Sequence, residues 1–150
     1  MKKIILFALI LLWFSPHSYA QKTDLRKMGS VQRNEYLVKL AKEVVMNFGP
    51  DYYREDLIPN VSKEPKELRV GYSRAQKYVG KKYYTVTFRD REGYPWSSVD
   101  IWEKTGEPMG ITFDGGSGYN FLFRSYRDWI KDGVKEEEKW KRENDSQHHH

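Results

Sequence analysis

Between Tyr83 and Phe113 the chain alternates apolar and polar residues in short runs separated by glycine-bearing turns. Tyr84, Val86 and Phe88 interleave with Tyr83, Thr85 and Thr87, and Val99 and Ile101 interleave with Ser98, Asp100 and Trp102. A period of two is that of a half-buried strand, because successive side chains leave opposite faces of the pleat. Arg91-Glu92-Gly93 and Lys104-Thr105-Gly106 punctuate the runs, and each glycine can take the positive φ that a hairpin turn needs. The stretch therefore predicts a three-strand antiparallel meander. Its apolar face would carry Tyr84, Val86, Phe88, Val99, Ile101, Met109, Ile111 and Phe113, and its reverse face Tyr83, Thr85, Thr87, Trp96, Asp100 and Trp102.

Upstream the period becomes helical. Tyr36, Leu37, Leu40, Ala41, Val44, Val45 and Phe48 fall on one face of a 3.6-residue repeat, opposite Arg33, Lys39, Lys42 and Glu43. Ser30 or Asn34 is a candidate N-cap, and Gly49-Pro50 a stop, with Gly49 expected as a left-handed terminator. Asp51 to Lys66 is polar and holds Pro59 and Pro65, which predicts a loop. Leu68, Val70 and Tyr72 alternate with Arg69 and Gly71 and predict a strand ahead of the meander. After the meander, Asp114-Gly115-Gly116-Ser117-Gly118 lacks both the acid spacing of a calcium loop and the lysine of a phosphate loop, and predicts a flexible connector. Tyr126, Trp129, Ile130 and Val134 follow at helical spacing from about Ser125, with Gly133 as a candidate break. Together with Phe121, Leu122 and Phe123 the first three form a cluster that has to be buried, and the reverse sheet face is the expected place. Lys135 to Asn144 is almost wholly charged around a lone Trp140 and predicts a solvated helix.

The fold class predicted is α+β: one amphipathic helix packed on an antiparallel sheet of about four strands, plus a C-terminal helical segment. Residues 21–144 form a single domain in this reading. Residues 145–150 form a disordered tail whose terminal His148, His149 and His150 have the composition of a tag remnant.

At the other terminus, Lys2 and Lys3 precede the apolar run Ile4 to Phe14, and Ser18-Tyr19-Ala20 supplies small residues where a signal peptidase reads. The pattern predicts export to the periplasm or exterior, with cleavage after Ala20. The run is about half the ~20 residues that a membrane-spanning helix requires. Loss of Lys2 and Lys3 lowers the formal net charge from +5 to +3. Lys77, Lys81 and Lys82, and then Lys139, Lys141 and Arg142, are the densest basic spots. They read as solvated faces, and export argues against a nucleic-acid partner.

Composition narrows the chemistry further. His17 lies in the predicted signal and the other histidines are terminal, so the predicted domain contains neither His nor Cys. Thiol nucleophiles, Ser–His pairs and imidazole or thiolate metal sites are thereby excluded. Carboxylates near turns remain, namely Asp90 with Glu92, Asp100 with Glu103, and Asp114, and they read as solvated groups. No catalytic residue, metal site or cofactor is assigned.

Two family resemblances attach to this pattern. Thr85 to Pro108, T-V-T-F-R-D-R-E-G-Y-P-W-S-S-V-D-I-W-E-K-T-G-E-P, resembles the second half of a PepSY domain, where two strands end in a V-D-x-x-T-G-E-like turn. Gln76 to Gly80, Q-K-Y-V-G, followed by K-K-Y-Y-T-V-T-F, is similar to the cystatin wedge loop and the strand after it. Both families imply a helix on an antiparallel sheet, and both include members that block peptidases. The resemblance implies a non-enzymatic module whose partner is another protein, a peptidase for instance, met by Gln76, Tyr78, Val79, Gly80, Lys104, Thr105 and Gly106. The alternative is an envelope ligand- or protein-binding domain using the aromatic reverse face, through Tyr83, Trp96, Asp100 and Trp102. Behind both stands a carboxylate-based enzyme, which would need two of Asp90, Asp100, Glu103 and Asp114 to converge in a pocket.

Overall fold

Leu37, Ala41, Val44 and Val45 are fully buried along helix α1, Ser30–Phe48, as the apolar stripe predicts. In the computed structural model, which describes residues 22–69 and 75–133, this stripe lies across a sheet of strands β1 Ile58–Val61, β2 Lys66–Glu67, β3 Lys82–Arg89, β4 Pro95–Trp102, β5 Pro108–Phe113 and β6 Gly118–Asn120. Residues 126–133 form a second helix, α2. The molecule is thus α+β, with six strands in its sheet rather than the four or so expected, because short edge segments pair with the meander.

The spatial order is β1-β3-β4-β5-β6, with β2 also on β3, and every pairing is antiparallel. β1 and β2 act as one interrupted edge. β1 pairs with Val86 to Arg89, β2 with Lys82 and Tyr83, and between them Ser62 and Thr85 exchange hydrogen bonds, Ser62 N to Thr85 O at 2.9 Å and Thr85 N to Ser62 Oγ at 3.1 Å. This edge corrects two expectations. The polar stretch from Asp51 to Lys66 holds β1 rather than only loop, because the outer side of an edge strand has no need of an apolar pattern. Leu68 bonds back to Lys81 and Gly80 but lies beyond β2, while Val70 and Tyr72 fall outside the described residues.

Between helix and sheet, Tyr84, Val86, Phe88, Val99, Ile101, Ile111 and Phe113 join Leu25 and the helix stripe in one core. Two bulges alter the predicted faces. Ile101 pairs with Pro108 while Asp100 pairs with Gly110, which leaves Met109 as the extra residue, outside the core's fully buried set. Phe88 pairs with Ser97 and Arg89 with Pro95, leaving Trp96 extra. A bulge turns consecutive side chains toward one side of the sheet. Trp96 accordingly packs against the core, under the Arg54 guanidinium at 4.2 Å, rather than joining the reverse face.

The Asp114 to Gly118 segment is a hairpin rather than a loose connector: Gly116 N bonds Phe113 O and Phe113 N bonds Ser117 O. It returns the chain as β6. Tyr119, opposite Ile111, therefore points to the helix side and meets Phe48 at 4.9 Å between ring centroids. Phe121, Tyr126 and Trp129 complete a ring cluster around Phe48. Tyr126 docks on the last turns of α1, its hydroxyl accepting from Asn47 Nδ2 at 3.0 Å and donating to Glu43 Oε1 at 2.9 Å. Phe121, Tyr126 and Trp129 therefore pack beside α1, not over the reverse face, while Phe123 is exposed rather than buried. Val134 and the charged stretch around Trp140 lie outside the described residues.

Candidate functional site

The loop into β3 is closed on itself. Gln76–Tyr78 forms a single 3-10 turn, Val79 N bonds Gln76 O, Lys81 N bonds Tyr78 O, and Gly80 N reaches across to Leu68 O at 2.9 Å. Gly80 sits at φ 84°, in the left-handed region that favours glycine. Gln76, Val79 and Gly80 are exposed, whereas Tyr78 folds down onto the sheet. Its ring stacks on Trp102 at 5.7 Å and 20°, and its hydroxyl donates to Leu122 O at 2.9 Å. Tyr83 meets the same indole edge-on at 6.3 Å.

The loop and the reverse face, separate candidates in the sequence, are thus parts of one surface. Their junction is the Tyr78–Trp102–Tyr83 cluster. The other half of the predicted loop pair is differently placed. Lys104 is exposed, but Thr105 O accepts from Thr23 N at 2.9 Å and Gly106 is buried, its carbonyl accepting from Tyr36 at 3.0 Å. The segment ahead of α1 covers this turn, held by the 3-10 turn Leu25–Lys27 that Asp24 caps. The Arg26 guanidinium beside Asp24 holds that carboxyl down at about 2.

Asp100 occupies the middle of the reverse face. Thr85, directly opposite on β3, donates its hydroxyl to Asp100 Oδ1 at 2.7 Å, and Thr87 with Ser98 makes the next cross-strand hydroxyl pair at 3.0 Å. Burial pushes the Asp100 carboxyl above its ordinary range, against the Thr85 hydrogen bond and the charge of Lys66. On its other side, facing Gly110, a hollow of about 270 Å³ is lined by Asp100, Met109, Gly110, Thr112, Gly118 and Asn120. Asn120 Oδ1 accepts from Leu122 N at 2.8 Å.

The remaining acids do not gather here. Asp90 scaffolds the β3–β4 turn, accepting from Tyr94 N, Glu92 N and Trp96 Nε1, and the Tyr94 amide is the main cause of its lowered pKa. Asp114 lies beside that turn, bonded through its own amide to Trp96 O, whereas Glu103 sits at the opposite end against Lys82. Among the described residues no group of three or more His, Cys, Asp or Glu could hold a metal ion, and no helix is long and apolar enough to cross a membrane.

Sequence reasoning missed Thr85 as the partner of Asp100, and missed Lys66, Met109, Gly110 and Asn120. The hydroxyls at Thr85, Thr87 and Ser98 were visible as the polar half of the strand period. The others depend on β2, on β6 and on a bulge, none of which has a local signature. Compared with family models, curated proteins and solved structures, the chain matches none.

Proposed function

We propose that this chain is a non-enzymatic, exported binding module whose recognition surface is the reverse face of the sheet together with the loop docked on its end. The observation that carries the reading is the Tyr78 ring stacked on Trp102, with Tyr83 at its edge and Asp100 two residues along the same strand face. Such a cluster offers a partner apolar area at low entropic cost beside a fixed hydrogen-bond acceptor. Trp96 belongs to the core and takes no part.

Co-purification from the native envelope tests the reading, comparing the wild type with Trp102→Ala, Asp100→Asn and, as a control at the far turn, Arg91→Ala. A partner retained by wild type and control but lost from the first two is expected. One retained equally by all four would sink the reading.

A second reading keeps the PepSY-like and cystatin-like resemblance: occlusion of a peptidase cleft by Gln76, Val79 and Gly80. The self-closed hydrogen bonding of that loop favours it, since an ordered loop loses little entropy on docking and resists cleavage. The covered Thr105 and Gly106 leave Lys104 alone to support it from the neighbouring turn. Titration against papain-like and streptopain-like cysteine peptidases is the check. Absence of tight inhibition, or inhibition indifferent to changes at Gln76 and Gly80, dismisses it.

A further inference from the structure

Antiparallel topology sorts the charges of this chain to opposite ends of the sheet. Where β3 and β5 begin and β2 and β4 finish, Lys66, Arg69, Lys77, Lys81, Lys82 and Lys104 are all exposed. None of these six has an ion-pair partner among the described residues. Lys22 and Lys27 join them on the segment that bonds Glu103 and Thr105. Of the acids toward that end, Asp24 and Glu107 already pair with Arg26 and Arg127, leaving Glu35, Glu64, Glu67 and Glu103, fewer than the cations. The opposite end carries Asp51, Glu55, Asp56, Asp90, Glu92 and Asp114, which outnumber its four cations: Lys42 and Arg54, committed to Glu55 and Asp56, Arg89, bonded to Gly93 O, and Arg91.

A second feature marks the basic end. On either side of the Tyr78–Leu122 hydrogen bond stand Val79 and Phe123, 37% and 60% exposed. Lys77 and Lys81 lie over the Tyr78 ring between them, at 5.0 and 4.8 Å. We propose that this end docks on an anionic membrane surface, with the lysines among the lipid headgroups and the Val79 and Phe123 side chains at the acyl boundary.

Apolar tips within a basic rim are the chemistry of interfacial binding. The cations are nearly all lysine, whose point charge suits a fluid array of headgroups, whereas pairing with fixed carboxylates on a folded partner favours the arginine fork. The acidic far end is repelled by the same surface, so the molecule's own charge separation fixes its orientation. This goes beyond the binding reading above, leaving the Asp100 side of the reverse face lateral to the bilayer.

Co-sedimentation of the purified protein with phosphatidylglycerol–phosphatidylcholine vesicles, against pure phosphatidylcholine vesicles, tests the proposal. Partition into the anionic vesicles alone, weakening as salt rises, is expected. Lys77→Ala and Lys81→Ala should each weaken it by about fivefold, the effect of about one basic side chain near such a surface. Val79→Asp should weaken it too, while Arg91→Ala at the far end leaves it unchanged. These positions are on the surface, so a circular dichroism spectrum like that of wild type shows the fold intact. Equal partition into both vesicle types, no partition into either, or indifference to Lys77 and Lys81 overturns the proposal. Capture by soluble heparin or polyglutamate without vesicle binding overturns it in favour of a soluble polyanionic partner.

Discussion

Gly49 shows how one residue can be required for a reason its position does not suggest. It closes α1, but its φ is −163°, extended backbone open to any residue, so it is no left-handed terminator. Packing demands glycine instead, because a Cβ there would stand 2.5 Å from the Phe113 ring. Gly49→Ala is expected to destabilise the fold by about 1–3 kcal/mol, the usual cost of overpacking a core, read as a lower urea midpoint at unchanged slope. Gly93 and Gly106 differ: at φ 87° and 63° they hold their turns by backbone freedom, as the sequence suggests. Asp100 gives the residue scale its pH dependence. Burial raises its folded pKa, so between the ordinary aspartate value and that raised value the folded state binds more protons than the unfolded one. Stability should therefore fall as pH rises through that window. Asp100→Asn keeps an acceptor for Thr85 and carries no charge, so thermal melts should show it matching wild type in acid and exceeding it at neutral pH. A constant difference across pH would refute this assignment.

At the scale of elements, α1 and the meander were legible because their periods are local and strong. The buried set Leu37, Ala41, Val44 and Val45 is the stripe read from spacing, and Tyr84, Val86, Phe88, Val99 and Ile101 are the inward half of the strand alternation. Leu37→Ala is expected to cost roughly 2–5 kcal/mol, whereas Met46→Ala, on a side chain 47% exposed, should change stability by less than about 0.5 kcal/mol. Equilibrium denaturation of both variants compares them directly, and equal effects would contradict the helix orientation. The edge strands were not legible. β1 contains Pro59 and exposed Ile58 and Asn60, and β6 is only Gly118, Tyr119 and Asn120; each becomes a strand because β3 or β5 presents unpaired backbone groups for it to satisfy.

For the whole molecule, one core spans α1, both sheet halves and the C-terminal aromatics, and includes Leu25 ahead of α1. Unfolding is therefore expected to be a single cooperative transition, with far-ultraviolet circular dichroism and tryptophan fluorescence giving coincident urea curves. Separate transitions would mean that Trp129 and α2 form a unit apart from Trp96 and Trp102.

What the sequence by itself determined is periodic and local: an amphipathic helix, the central strands with their inward and outward residues, the two glycine turns, and a predicted domain with neither His nor Cys. Tertiary structure alone decided which long-range partners those elements met. It set the side on which the C-terminal aromatics are buried, the bulges that take Trp96 into the core and Met109 out of it, the docking of Tyr78 on Trp102, and the gathering of lysines distant in sequence at one end. The physical reason is that periodicity reports how a residue faces its own element. Pairing register, bulge position and charge sorting arise from contacts between segments that only folding brings together.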